Sequence, residues 1–60
     1  MKLISLINLY KYKFDFVEVY DYFSDGYMYT IEDFTNHLDA YVRKFSVYET
    51  DGSMYLQIWI

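Results

Sequence analysis

The last fourteen residues, VYETDGSMYLQIWI, constrain the fold more than any other stretch because they predict one hairpin register. Asp51-Gly52 is a strong two-residue turn signal, since both residues tolerate the positive φ angles of a type I′ turn. Counting outward from the turn places Tyr48 opposite Tyr55 and Val47 opposite Leu56, and a one-residue slip would pair apolar with polar side chains. The register gives the hairpin two apolar faces: Phe45, Val47, Leu56 and Ile58 on one, and Tyr48, Tyr55 and Trp59 on the other.

A second hairpin is predicted earlier in the chain. Residues 11–22, KYKFDFVEVYDY, are rich in aromatic and β-branched residues and alternate as a strand does. The alternation changes phase at Phe16-Val17, which indicates either a β-bulge or a strand that is apolar on both faces. Asp25-Gly26 then predicts a tight turn, followed by a short return strand from Tyr27 to Tyr29.

One helix is predicted between the hairpins. Apolar residues from Ile31 to Val42 recur at helical spacing, and Thr30 is a good N-cap with Asp33 three residues later. Residues 1–10 fit either a helix or an edge strand, and we expect a strand.

These elements predict an α+β fold in one compact domain of residues 1–60: an antiparallel sheet of four or five strands, ordered hairpin, helix, hairpin, with one helix packed on one face. A helix of this length covers the Phe45 and Ile58 side of the last hairpin but not its Tyr and Trp side as well. A chain this short buries only about 60% of its unfolded surface, and it has no cysteine for disulfides. We therefore expect ring packing or oligomerisation to supplement the core.

The candidate motifs for catalysis, metal binding and cofactor binding each lack residues that the chemistry requires. Residues 21–32 match a calcium loop at four places, but Phe23 occupies a ligand position and the preceding residues alternate as a strand. His37 has no second histidine or cysteine to complete a ligand set. We expect no enzyme activity, no cofactor and no metal. Without a recognisable signal peptide or a membrane-spanning run, the cytoplasm is the expected compartment.

Charge is distributed unevenly along the chain. The net charge is −4, and residues 14–42 contain seven acidic residues and no Lys or Arg. This pattern argues against direct nucleic-acid binding and favours a basic partner protein. We predict an acidic patch near one end of the fold; the alternative is a solvated face that only keeps the protein soluble. The four predicted patch residues are Asp21, Asp25, Glu32 and Asp33.

Tyrosine and tryptophan side chains are the other candidate contact residues, because both are enriched where interfaces concentrate binding energy. The alternative is that these rings only form the core. The predicted ring surface, for a partner or for a dimer, contains Tyr20, Tyr22, Tyr29, Tyr48, Tyr55 and Trp59.

Two features carry a resemblance to known proteins: a low content of Ala, Arg, Gly and Pro, and an acidic stretch without Lys or Arg, FDFVEVYDYFSDGYMYTIEDFTNHLDAYV. In these features the chain resembles the small acidic accessory proteins of bacteriophages and other mobile elements, a group that includes anti-CRISPR inhibitors. The resemblance implies an inhibitor acting in the host cytoplasm. Combined with the charge and the rings, it leads us to expect an interaction protein that blocks a basic, nucleic-acid-handling host protein. The alternative is a homodimeric assembly module whose ring surface is buried between two copies.

Overall fold

The computed structural model describes residues 1–10, 12–24 and 26–60, which form an α+β fold. The elements within these residues are α1 (Leu3–Tyr10), β1 (Phe16–Tyr20), β2 (Met28–Tyr29), α2 (Ile31–Thr35), β3 (Lys44–Thr50) and β4 (Ser53–Trp59). The strands make one sheet in the order β2-β1-β4-β3. The predicted fold class is confirmed, with the refinement that the sheet is mixed because β1 and β4 run parallel.

The register predicted for the last hairpin is confirmed at every rung. β3 and β4 pair antiparallel from Lys44 opposite Trp59 to Thr50 opposite Ser53. Asp51 and Gly52 have φ angles of 51° and 79°, as a type I′ turn requires. The turn chemistry and the alternation of side chains therefore agree on one pairing.

β1 lies beside β4 and runs in the same direction, with Phe16 opposite Tyr55 and Tyr20 opposite Trp59. Its Val17 and Val19 side chains pack with the core cluster on the other face. Of the two readings of the phase change at Phe16-Val17, the strand with two apolar faces is therefore correct. A strand with two apolar faces is stabilised most where the side chains on both faces are packed against other side chains.

The expectation of a strand in residues 1–10 is wrong, because this segment forms α1. Leu3 and Leu6 lie on one side of the helix and are fully buried against the sheet, with Ile7 and Tyr10 packed beside them. The apolar side of α1 covers the inner face of the sheet, which a fifth edge strand would have left open to water.

The second helix is shorter than the predicted range 31–42. Thr30 is its N-cap, as predicted, and the Thr30 hydroxyl accepts a hydrogen bond of 3.2 Å from the backbone N–H of Asp33. The helix ends at Thr35, where the Thr35 hydroxyl and the Asn36 amide both donate to the carbonyl of Glu32, at 2.8 and 3.2 Å. Such local side-chain bonds compete with continued helix.

The buried core lies between α1 and the inner face of the sheet. Its fully buried side chains are Leu3, Leu6, Val19, Leu56 and Ile58. Phe45 and Val47, which we expected to be covered with Leu56 and Ile58, are 53% and 47% exposed. They lie on β3, the edge strand, beyond the reach of the helices.

Two leucines on α1 give a matched test of this arrangement. Leu6 is 1% exposed and Leu9 is 58% exposed. Leu6→Ala should lower the free energy of unfolding by about 2–4 kcal/mol, because it removes buried methyl groups and leaves a cavity. Leu9→Ala should change it by less than about 0.5 kcal/mol. Urea denaturation followed by circular dichroism measures both, and equal effects would contradict the assigned orientation of α1.

Candidate functional site

The outer face of the sheet, opposite the core, carries two rows of aromatic rings. In the first row, Tyr55 of β4 stacks on both neighbours, at centroid distances of 4.8 Å to Phe16 and 4.6 Å to Tyr48. In the second row, Tyr20 and Trp59 stack at 5.1 Å. The register makes these residues direct cross-strand neighbours, which brings stacked rings together. We call these five residues the aromatic face.

Polar side chains occupy the space between the two rows. The Oε1 atom of Glu18 accepts hydrogen bonds from the Tyr20 hydroxyl at 3.1 Å and the Tyr48 hydroxyl at 3.2 Å. The Gln57 amide donates to the same oxygen at 3.4 Å and to the Tyr20 hydroxyl at 3.3 Å. The Ser46 hydroxyl in turn donates to the side-chain oxygen Oε1 of Gln57 at 3.1 Å. One carboxylate is therefore held by three donors at the centre of the aromatic face.

The two tyrosine hydroxyls respond to this environment. Burial raises the pKa of Tyr48, and the hydrogen bond to Glu18 and its negative charge raise that pKa further. Burial also raises the pKa of Tyr20; the hydrogen bond from Gln57 opposes the rise, and Glu18 adds to it. Both hydroxyls therefore stay protonated, and able to donate, to higher pH than an ordinary tyrosine.

Cationic side chains already lie over rings at one end of the sheet. The Lys44 ammonium is 4.5 Å from the centroid of Trp59. The Arg43 guanidinium is 4.5 Å from the centroid of Phe23 and 5.8 Å from that of Tyr22. These distances are within the range of cation–π attraction. The rings of this chain thus contact positive charge within the chain itself.

Of the six residues in the predicted ring surface, the structure brings four together on the aromatic face: Tyr20, Tyr48, Tyr55 and Trp59. Tyr29 does not belong to it, because it pairs with Val19 and packs with the core cluster on the opposite face. Tyr22 lies beyond the end of β1, where its ring contacts Phe23 at 5.3 Å.

Sequence reasoning missed Phe16, Glu18 and Gln57 as members of the site. The spacing of Phe16, Glu18 and Tyr20 at every second residue of a strand is the signal that could have found the first two. It was obscured because Phe14 and Tyr12 continue the same alternation. Each strand has two sets of alternating side chains. Only the order of the strands in the sheet and the position of α1 show which set faces the core and which faces outward.

Two residues of the predicted acidic patch are linked through Tyr27. The backbone N–H of Asp21 donates to the carbonyl of Tyr27 at 2.9 Å, and the Tyr27 hydroxyl donates to Asp33 at 3.3 Å. Asp21 also accepts a hydrogen bond from the backbone N–H of Phe23, which lowers the pKa of its carboxyl. Glu32 is exposed in the first turn of α2. Asp25 lies outside the described residues.

Comparison of the chain with known proteins finds no relative: no family model, no curated protein and no solved structure matches it. Within residues 1–10, 12–24 and 26–60, no group of three or more His, Asp or Glu side chains is placed to hold a metal ion. No helix in the described part of the chain is long and apolar enough to cross a membrane. The aromatic face and the neighbouring acids are therefore the features on which a function can be argued.

The raised pKa values predict a loss of stability at alkaline pH. The folded state holds the protons of Tyr20 and Tyr48 more tightly than the unfolded state does. Their contribution to stability is thus complete below pH ~10, the ordinary tyrosine pKa, and is lost as the pH rises through the folded values. Glu18→Gln should lower both folded pKa values, because the negative charge is removed.

NMR of ¹³C-labelled tyrosine rings resolves these titrations one residue at a time. Glu49→Gln is the matched control, since Glu49 is an exposed carboxylate on β3 and both hydroxyls donate to Glu18 instead. If Glu18→Gln and Glu49→Gln gave the same Tyr48 titration curve, the hydrogen-bonded arrangement around Glu18 would be wrong.

Proposed function

We propose that the protein is a small interaction module that binds a basic partner protein through the aromatic face. The observation that carries this proposal is a row of stacked rings on the sheet face opposite the core, with a fixed carboxylate among them. Phe16 is 51% exposed, and Tyr48 lies at the open edge of the sheet. Each buried ring can contribute about 150–250 Å² of contact, and a typical interface needs roughly 800 Å² from each partner.

The partner we propose is a basic, nucleic-acid-handling protein of a host cell, which this chain inhibits as the small acidic phage-type proteins do. The net charge of −4 and the seven acids in residues 14–42 support a basic partner. Asp21 directly follows Tyr20 of the aromatic face, so the linked acids Asp21 and Asp33 begin where the second ring row ends. Rings would supply contact area, and carboxylates would compete with phosphates for a basic groove.

A capture experiment with variants tests this proposal. The tagged chain is incubated with bacterial lysate, captured proteins are identified by mass spectrometry, and the leading candidate is purified for calorimetry. Phe16→Ala should weaken its binding by 10-fold or more, about 1.4 kcal/mol, because Phe16 is an exposed ring of the proposed contact. Leu9→Ala removes a side chain of similar exposure from α1 and should leave the affinity unchanged. Equal affinities of the two variants would exclude the aromatic face.

Charge is tested separately with two double variants of equal charge. Asp21→Asn/Glu32→Gln lies in the acidic patch and spares the hydrogen bonds of Asp33. Glu49→Gln/Asp51→Asn lies at the turn between β3 and β4. The first should weaken binding several-fold more than the second at low salt, and the difference should shrink as salt screens exposed charges within about 10 Å at 0.1 M. Equal effects at low salt would exclude a role for the patch.

A homodimeric assembly module is the second candidate function, and the edge of the sheet favours it. Among the described residues, β3 pairs with β4 alone. The register of this pair points the backbone N–H and C=O groups of Phe45, Val47 and Glu49 away from β4, towards the open edge. Both apolar side chains are about half exposed. A groove of about 410 Å³ opens beside them, and its lining residues are Met1, Val42, Arg43, Lys44 and Phe45.

Self-association has two possible surfaces, and variants separate them. Sedimentation equilibrium at micromolar concentration should show a dimer. Val47→Lys should return it to monomer if the copies pair along β3, because charge on an edge strand opposes pairing. Phe16→Ala should do so if the aromatic faces meet. Leu9→Ala is the control and should remain dimeric. A wild-type monomer throughout this concentration range would contradict the assembly function.

A further inference from the structure

We propose that Glu18 and the ring rows beside it form a receptor site for a single arginine side chain presented by the basic partner. The inference rests on the proposed function and specifies the chemistry of its central contact. The ligand group is a guanidinium. Glu18 and Phe16 would receive it, and Tyr20 and Tyr48 hold the Glu18 carboxylate in place.

The geometry of Glu18 is that of an acceptor whose position is already determined. Its Oε1 atom receives three hydrogen bonds, from the Tyr20 and Tyr48 hydroxyls and the Gln57 amide. No hydrogen bond from the described residues reaches Oε2. Within the same residues the ion pair present is Lys2 with Asp39, and no cation pairs with Glu18. The carboxylate therefore keeps one oxygen available for a charged donor from outside.

The two ring rows place aromatic rings on both sides of this carboxylate. Residues two apart on a strand are separated by roughly 7 Å, so Phe16 and Tyr20 flank Glu18 along β1 at about that spacing. Tyr55 and Trp59 flank Gln57 in the same way on β4. Because the rings stack across the strands, both faces of Tyr55 are covered by Phe16 and Tyr48, whereas the outer face of the half-exposed Phe16 is left open by the described residues. A guanidinium bound to Oε2 would stack on this face of Phe16. Charge and stacking would then act on the same group.

The first ring row is also available. Lys44 already lies over Trp59 in the second row, whereas the described residues place no cation over Phe16, Tyr48 or Tyr55. The contacts of Lys44 and Arg43 show that the rings of this chain attract positive groups at 4.5 Å. A partner's cation would find an equivalent unfilled position beside Glu18.

Arginine fits this position better than the other candidate groups. Its guanidinium is planar and stacks on aromatic faces, whereas lysine offers a compact, strongly hydrated charge. A phosphate or nucleotide would be repelled by Glu18, and the neighbouring acids Asp21 and Asp33 would add to the repulsion. The arrangement thus selects a flat cation.

NMR titration of the ¹⁵N-labelled full chain with three small probes tests the inference. The probes are the N-acetyl methylamides of arginine, of citrulline, which has nearly the same shape without charge, and of lysine. The arginine probe should give saturable shifts at Glu18, Tyr20 and Tyr48, with dissociation in the millimolar range. Citrulline should give no saturable shift, and lysine should bind at least three-fold more weakly.

Variants locate the site. Glu18→Gln keeps the shape of the side chain and should abolish the arginine shifts, and Tyr48→Phe, which removes one donor to the carboxylate, should weaken binding several-fold. Glu49→Gln removes an exposed carboxylate elsewhere on the sheet and should leave binding unchanged. Equal shifts with arginine and citrulline, or full arginine binding in folded Glu18→Gln, would overturn the inference.

The same variants separate this inference from the proposed function. If Phe16→Ala weakens binding of the captured partner while Glu18→Gln leaves it unchanged, the aromatic face is the contact and the arginine site is refuted. If the arginine probe binds wild type as expected but no variant of the aromatic face affects partner binding, the receptor site stands and the proposed function fails.

Discussion

The structure depends on the central position of β4 in the sheet. β4 pairs antiparallel with β3 on one side and parallel with β1 on the other, so its residues are the shared neighbours of both. Leu56 and Ile58 point into the core, while Tyr55 and Trp59 point to the aromatic face. Displacing β4 by one residue would exchange these two sets and lose the core and the ring rows together.

The aromatic face supplements a small core. Five of the described side chains are fully buried, which is few for a domain, and chains of this length have little stability to spare. Stacked ring pairs contribute about 0.5–1.5 kcal/mol each beyond their buried area, and the outer face carries three such pairs. The rings therefore stabilise the sheet, while Phe16 and Tyr48 stay partly exposed.

In the proposed interaction, the polar residues between the ring rows would make this surface selective. An uninterrupted apolar patch on a small protein would associate with many surfaces. Here Glu18 sits among the rings with its tyrosine and glutamine donors, and any partner that covers it must supply a cation or leave a buried charge unpaired. In the proposed interaction, a partner without a suitably placed positive group would therefore bind less tightly.

The sequence by itself determined the features that local chemistry controls: the α+β class, the register about Asp51-Gly52 and the N-cap at Thr30. A turn and an alternating pattern specify one pairing because any slip reverses every side chain. Only the tertiary structure decided that residues 1–10 form a helix, that β1 runs parallel to β4, and that Glu18 rather than Tyr29 shares a face with Tyr48. Those outcomes depend on burying all the apolar faces at once, and neither the period of one segment nor the chemistry of one turn contains that information.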